Sequence, residues 1–216
     1  MRISTSLAPD ERKILQKLKT PKKIQDYLDT LPFNFEEDED TCLSPRRVLR
    51  EQRAHCIEGA LLAALALRLH GHRPLILDLT SSAHDTDHII VPFQQYGRWG
   101  AISKTNHSVL RYREPIYLTI HELVVSYFHE YFDAKGRKTL RSYTQPINLS
   151  CFDKRGWTTD ENHLWYLVKY ILDLPHHELL TPTQKKNLRH ADGVEQHASS
   201  FPEWVSQNKR NPLFTS

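Results

Sequence analysis

The stretch from Cys56 to His70, CIEGALLAALALRLH, is the most apolar in the chain, and its reading decides the fold. Gly59, Ala60, Ala63, Ala64 and Ala66 are small, while Leu61, Leu62, Leu65 and Leu67 fill the other faces. A helix that is apolar nearly all round is a buried helix, and small residues along one side let it lie close against a sheet. Gly71 supplies a stop just past its end. The first residue of this helix is a cysteine. A thiol there sits beside unpaired backbone N–H groups and the positive end of the helix dipole, both of which favour the thiolate. The same N–H groups can stabilise an oxyanion formed on attack. Spacing alone is equally compatible with Cys56 as a small buried residue without chemistry.

On the N-terminal side the pattern is helical. Residues 10–18 put Ile14, Leu15 and Leu18 on one face. Thr20-Pro21 reads as a cap followed by proline in the first turn, with Ile24, Tyr27, Leu28 and Leu31 as the apolar stripe. An acidic loop, Glu36 to Asp40, precedes a further helical start at Ser44-Pro45. On the C-terminal side the period changes to that of strands, in residues 74–79 (PLILDL), 88–94 (HIIVPFQ) and 98–103 (RWGAIS). Gln95-Tyr96-Gly97 supplies a turn, so the last two strands are expected to pair as an antiparallel hairpin. Pro92 points to an edge position or a bulge. Thr119 with Glu122 is a capping-box signature opening a helix with Leu123, Val124, Tyr127, Phe128 and Tyr131 inward, and another helix is expected around residues 160–172. The order is helices, one buried helix, an antiparallel sheet, then helices, which is an α+β domain. Residues 1–180 are read as that single domain. Residues 181–216 are read as a polar tail with room for a short helix, packed on the domain or partly disordered.

The bulk numbers exclude several classes. A chain of 216 residues, 39% apolar and 25% charged, is long enough for one full core. Lys+Arg of 29 against Asp+Glu of 26 leaves +3, too weak and too scattered for a nucleic-acid partner. The basic cluster Lys17, Lys19, Lys22 and Lys23 reads as a solvated helix face. With 7 glycines and no GxGxxG or GxxxxGK[ST], a phosphate-cradling loop is not expected. The cysteines are Cys42, Cys56 and Cys151; an odd count without a CxxC pair argues against a disulfide framework or a structural zinc site. The opening MRISTSLAPDERK lacks an apolar signal region, and the longest apolar run, residues 60–67, is too short to span a bilayer. A reducing cytoplasm, where a thiol stays free, is expected, with no membrane partner.

His88 opens the second strand after Asp85, Thr86 and Asp87. A neutral imidazole facing a thiol is what a cysteine nucleophile needs, to take its proton and return it to the leaving group. The run His55-Cys56-Ile57-Glu58-Gly59-Ala60, then a helix, then LILDL, then Asp87-His88-Ile89-Ile90-Val91, then Trp99-Gly100-Ala101-Ile102 resembles the core of the transglutaminase-like superfamily, of the papain-like cysteine fold, in a bacterial-type member. The resemblance spans roughly residues 20–130. It implies a papain-like α+β core with Cys56 as nucleophile and His88 as base. It also implies an acyl transfer or hydrolysis at an amide, ester or thioester carbonyl of a protein, peptide or small amide substrate, without a cofactor. The family's third member, usually Asp, falls here at or near Ser103. Asn106, which offers an amide oxygen, is the preferred acceptor for the His88 ring, with Ser103 as the alternative and Thr105 also within reach. Trp99 and Tyr96 are candidates to wall the substrate cleft, and Arg111 to meet an anionic group on the substrate.

Two other classes stay open. His84-Asp85-Thr86-Asp87-His88 offers side chains for a metal-dependent hydrolase, although ligands this close in an extended run alternate in direction. The same fold with a non-carboxylate third residue also suits a non-catalytic binding or scaffold protein.

Overall fold

A computed structural model of the chain describes residues 7–205. The N-terminal third forms α1 (Pro9–Lys17), α2 (Pro21–Thr30), α3 (Pro45–Glu51) and α4 (Cys56–Leu69). The caps read from sequence form as side-chain bonds: Thr20 Oγ1 accepts from the Lys23 amide at 3.3 Å and Ser44 Oγ from the Arg47 amide at 3.3 Å. Every residue of α4 from Ile57 to Leu67 is buried. Gly71, at φ +87°, takes the left-handed conformation that ends the helix.

The chain then builds a seven-stranded antiparallel sheet from β1 (Leu75–Ser81), β2 (His88–Gln95), β3 (Arg98–Ser103), β4 (Arg113–Tyr117), β5 (Leu140–Thr144), β6 (Ile147–Asn148) and β7 (His176–Glu178). The order across the sheet is β4-β3-β2-β1-β5-β7, with β6 pairing the start of β1. The expected hairpin forms with Gln95 opposite Arg98. Its turn residues Tyr96 and Gly97 are at φ +53° and +70°, the signs a two-residue hairpin turn needs.

The core lies on both faces of the sheet. Ile76, Ile89, Val91, Phe93 and Ile102 pack on α4, which is covered in turn by Leu15, Leu28 and Val48 from α1 to α3. Leu77, Leu79, Ile90 and Ala101 face Leu123 and Val124 of α5 (Ile120–Val125) together with Tyr127 and Tyr131. The architecture is therefore helices, sheet and helices, a mixed α+β fold.

The structure makes three expectations more specific. Pro92, expected at an edge position or a bulge, lies opposite Ala101 inside β2 with no shift of register, on the side that β1 leaves unpaired. It is tolerated because the pairing of β1 with β2 runs only over Leu77–Leu79 against His88–Ile90 and ends short of it. The helix expected around 160–172 occupies only α6 (Trp165–Leu172), after a 3-10 segment over Leu149–Arg155. The segment read as a polar tail follows β7 and forms α7 (Pro182–Lys186) and α8 (Gly193–Ser199), and residues 200–204 lie back on the domain. Residues 206–216 of that segment lie outside the described residues.

Candidate active site

The N-terminus of α4, the start of β2 and the end of β3 meet at one end of the sheet. A cleft of about 510 Å³ opens there, and Cys56, His88, Lys104 and Asn106 are among its lining residues. Cys56 is the first residue of α4 and is partly exposed, whereas Cys42 is buried and Cys151 exposed.

Two imidazoles act on the Cys56 sulfur. His55 caps α4, and its Nδ1 lies 4.0 Å from Cys56 Sγ. His88 lines the same cleft and also favours the thiolate. Burial on its own raises the thiol pKa, but the bonds and charges of His55 and His88 outweigh it and bring Cys56 down to about 5. Burial pushes Cys42 the other way, to about 12, with Glu58 adding to the rise, and desolvation also raises Cys151. Of the three thiols, only Cys56 sits where an anion is favoured.

His88 is held by Ser103. The Nε2 nitrogen is 2.7 Å from Ser103 Oγ, and that hydroxyl donates its own proton to Leu110 O at 2.6 Å. With the hydroxyl hydrogen spent on a carbonyl, the oxygen can only accept from the ring. Nε2 therefore carries the proton in the neutral imidazole, and Nδ1 is the basic nitrogen left for the thiol. Ser103 is itself fixed from α2: the Gln25 amide donates to Ser103 O at 2.8 Å and accepts from the Ser103 amide at 2.9 Å.

Asn106, the preferred acceptor from sequence, does not reach the ring. Its amide donates to Trp204 O at 3.0 Å and accepts from the Trp204 amide at 2.8 Å, tying the C-terminal segment to the rim of the cleft. The hairpin register explains this. Ser103 pairs with Ile90, so it lies diagonal to His88 on the same face, and the chain leaves the strand before reaching Asn106. Trp99 pairs with Tyr117 at the far end of β3, and Tyr96 is 90% exposed at the hairpin tip; neither lines the cleft. Arg111 donates to His107 O at 2.9 Å and pairs with Glu203 at 3.0 Å, so it too serves the C-terminal segment and not the cleft.

Sequence reasoning missed His55 and Glu58. Glu58, three residues into α4, is fully buried. Its carboxylate accepts from Thr41 Oγ1 at 2.7 Å, the Leu43 amide at 3.0 Å, Asn34 Nδ2 at 3.0 Å and the His55 amide at 3.0 Å. Burial opposes its charge, but these donors and His55 prevail and hold it at about 2. The His55 Nε2 nitrogen lies 3.1 Å from Thr41 O and 3.4 Å from both Glu58 Oε1 and Glu36 Oε1. The available signal was a glutamate at the third helical position, where it returns to the cap amide; a histidine in the cap hid it. The C-terminal wall was missed as well: Gln196, Ser199 and Ser200 line the cleft.

The run from His84 to His88 does not converge on a point. Asp85 accepts from Thr139 Oγ1 and Asp87 from the Ser81 amide at 2.7 Å. Among the described residues no three His, Cys, Asp or Glu side chains gather in a way that can hold a metal ion. No helix among them is long and apolar enough to cross a membrane. No protein-family model matches the chain, and no curated protein matches it.

Proposed function

We propose that the chain is a thiol-dependent acyl transferase or hydrolase on a papain-like, transglutaminase-like core, acting at an amide, ester or thioester carbonyl. The observation that carries this reading is a partly exposed thiol on the first residue of α4 whose pKa two imidazoles bring down to about 5 within a cleft. The Cys56 thiolate attacks the carbonyl carbon, forming the C–S bond while the C=O π pair moves onto oxygen. Backbone N–H groups of the first turn of α4 supply donors for that developing oxyanion. His88, having taken the thiol proton on Nδ1, returns it to the leaving group as the tetrahedral centre collapses. In the second half-reaction it takes a proton from the incoming water or amine as that oxygen or nitrogen bonds to the acyl carbon, and the C–S bond then breaks, its electron pair returning to sulfur to restore the thiolate.

A second reading, a binding scaffold on the same fold, draws on one feature: the partner of His88 is the neutral hydroxyl of Ser103, not a carboxylate. Acylation separates the two. On exposure to p-nitrophenyl acetate at neutral pH, an enzyme acquires one acetyl group on Cys56, found by peptide mass spectrometry, with a matching burst of nitrophenolate. Cys56→Ala abolishes the burst and His88→Ala slows it strongly. Acetylation spread over Cys151 and surface lysines, with Cys56 unmodified, favours the scaffold.

A further inference from the structure

We propose that His55 is a fixed imidazolium whose Nδ1–H faces the Cys56 sulfur, so that the site divides its two rings: His55 keeps its charge through the reaction and His88 moves the proton. This rests on the thiol-dependent reading above and adds a second residue in contact with the reacting atom.

The geometry carries the argument. All the partners of His55 Nε2 are acceptors: a backbone carbonyl at 3.1 Å and two carboxylate oxygens at 3.4 Å. That nitrogen must therefore hold a proton. The remaining nitrogen, Nδ1, has the Cys56 sulfur at 4.0 Å. With a thiolate on one side and carboxylates on the other, both nitrogens see negative charge and both are best protonated. Glu58 makes this durable. It is a buried carboxylate already satisfied by Thr41, Leu43, Asn34 and the His55 amide, so it stays ionised whatever happens at the sulfur. When the thiolate is consumed in an acyl-enzyme, Glu58 and Glu36 still neutralise the His55 charge.

His88 has no such support, since Ser103 gives its Nε2–H a neutral acceptor. A proton taken there from the thiol has no carboxylate to hold it in place, which suits a proton shuttle. The groups facing this pair are Glu58 on α4, Glu36 and Thr41 in the loop before α3, and His88 on β2. Cys42 and Tyr131 act on the sulfur or respond to it through their charges, and His107 feels the charge of His88. Burial opposes a charge on His55, but its bonds to Cys56 and Glu58 reverse that and raise it to about 11.

The test reads the pH dependence of iodoacetamide alkylation at Cys56 against Cys151 in the same full-length chain, by peptide mass spectrometry. The wild-type profile should have its midpoint near pH 5, in line with the lowered thiol. His55→Asn should move that midpoint up by at least about one unit and slow alkylation at pH 6 by about tenfold, the loss of thiolate being partly offset by higher intrinsic nucleophilicity. Glu58→Gln should move it the same way although the His55 ring is still present, a shift that a purely structural cap would not cause. An unchanged midpoint in His55→Asn, with only a lower melting temperature, overturns the proposal.

Nitrogen-15 histidine spectra of the wild-type protein at pH 7.5 test it without any substitution. One ring should show the imidazolium pattern before and after alkylation of Cys56, and it should persist in His88→Asn. Spectra with every ring neutral overturn it. A low midpoint that depends on His55, in a chain that takes no acetyl group from p-nitrophenyl acetate, keeps the ion pair and removes the enzyme.

Discussion

Ser103 holds His88 through a hydroxyl that has already placed its own proton on Leu110 O. Removing it should leave the buried Nε2–H without an acceptor and free the ring to change tautomer. Ser103→Ala is expected to slow acetylation of Cys56 by about tenfold or more, within the range by which positioned acid–base groups act. Asn106→Ala should leave that rate unchanged and lower the melting temperature, because its amide binds Trp204 and not the imidazole. A stopped-flow burst with p-nitrophenyl acetate measures the first effect and calorimetry the second. At this scale the sequence discloses what local pattern encodes. Cys56 stands at the head of an all-apolar run and His88 at the head of an alternating one, so both were legible. His55 was not, because its meaning comes from Thr41 and Glu36, which an intervening helix separates from it in the chain. Asn106 was chosen over Ser103 on chemistry alone, and the register of a single hairpin decided otherwise.

Helix α4 is fitted to the sheet end by an absence of side chain. A Cβ built on Gly59 would lie 2.6 Å from Lys104 Cβ and 3.0 Å from Lys104 Cγ. Lys104 cannot easily give way, since its buried ammonium donates to Leu28 O at 3.0 Å and Leu31 O at 2.6 Å, closing the end of α2. Gly59→Ala should therefore destabilise the fold by about 1–3 kcal/mol, the usual cost of overpacking. It should also slow Cys56 alkylation, because Lys104 adjoins Ser103. Urea unfolding and iodoacetamide kinetics on one preparation test both; a variant as stable as wild type would show that the helix and strand end have room to part. The small-residue stripe of α4 announced this close approach, and β1 to β3 were read to within two residues. The strands β5 and β7 were not recognised: Leu140-Arg141-Ser142-Tyr143-Thr144 and His176-His177-Glu178 lack an apolar alternation. They are strands because β1 offers β5 a paired edge and β5 then offers one to β7, a tertiary cause that local sequence does not contain.

Across the whole molecule, buried Asp78 in β1 reaches over β5 to His176 of β7 at 3.3 Å and accepts from Thr80 Oγ1 at 2.7 Å. Burial, with the Asp87 charge adding to it, raises the Asp78 carboxyl to about 6 against these bonds. The folded state thus holds this proton more tightly than the unfolded one. The stability it contributes is fully present below about pH 4 and is lost as pH rises through 6. Asp78→Asn should remove that slope and gain on wild type between pH 4 and 7, by on the order of 2 kcal/mol less the weakened His176 contact. Melting temperatures in a pH series measure it; parallel curves for the two proteins would refute the assignment. The fold class was legible in the order of elements, but the completion of the cleft was not, because its last wall comes from a polar segment with no apolar period. Asn106 and Trp204 meet across 98 residues of chain. A polypeptide made from its N-terminus has its thiol, both imidazoles and Ser103 in hand before residues 196–204 exist. Each molecule is thus born with its thiol before the wall that closes the cleft beside it, and enclosure is the later acquisition.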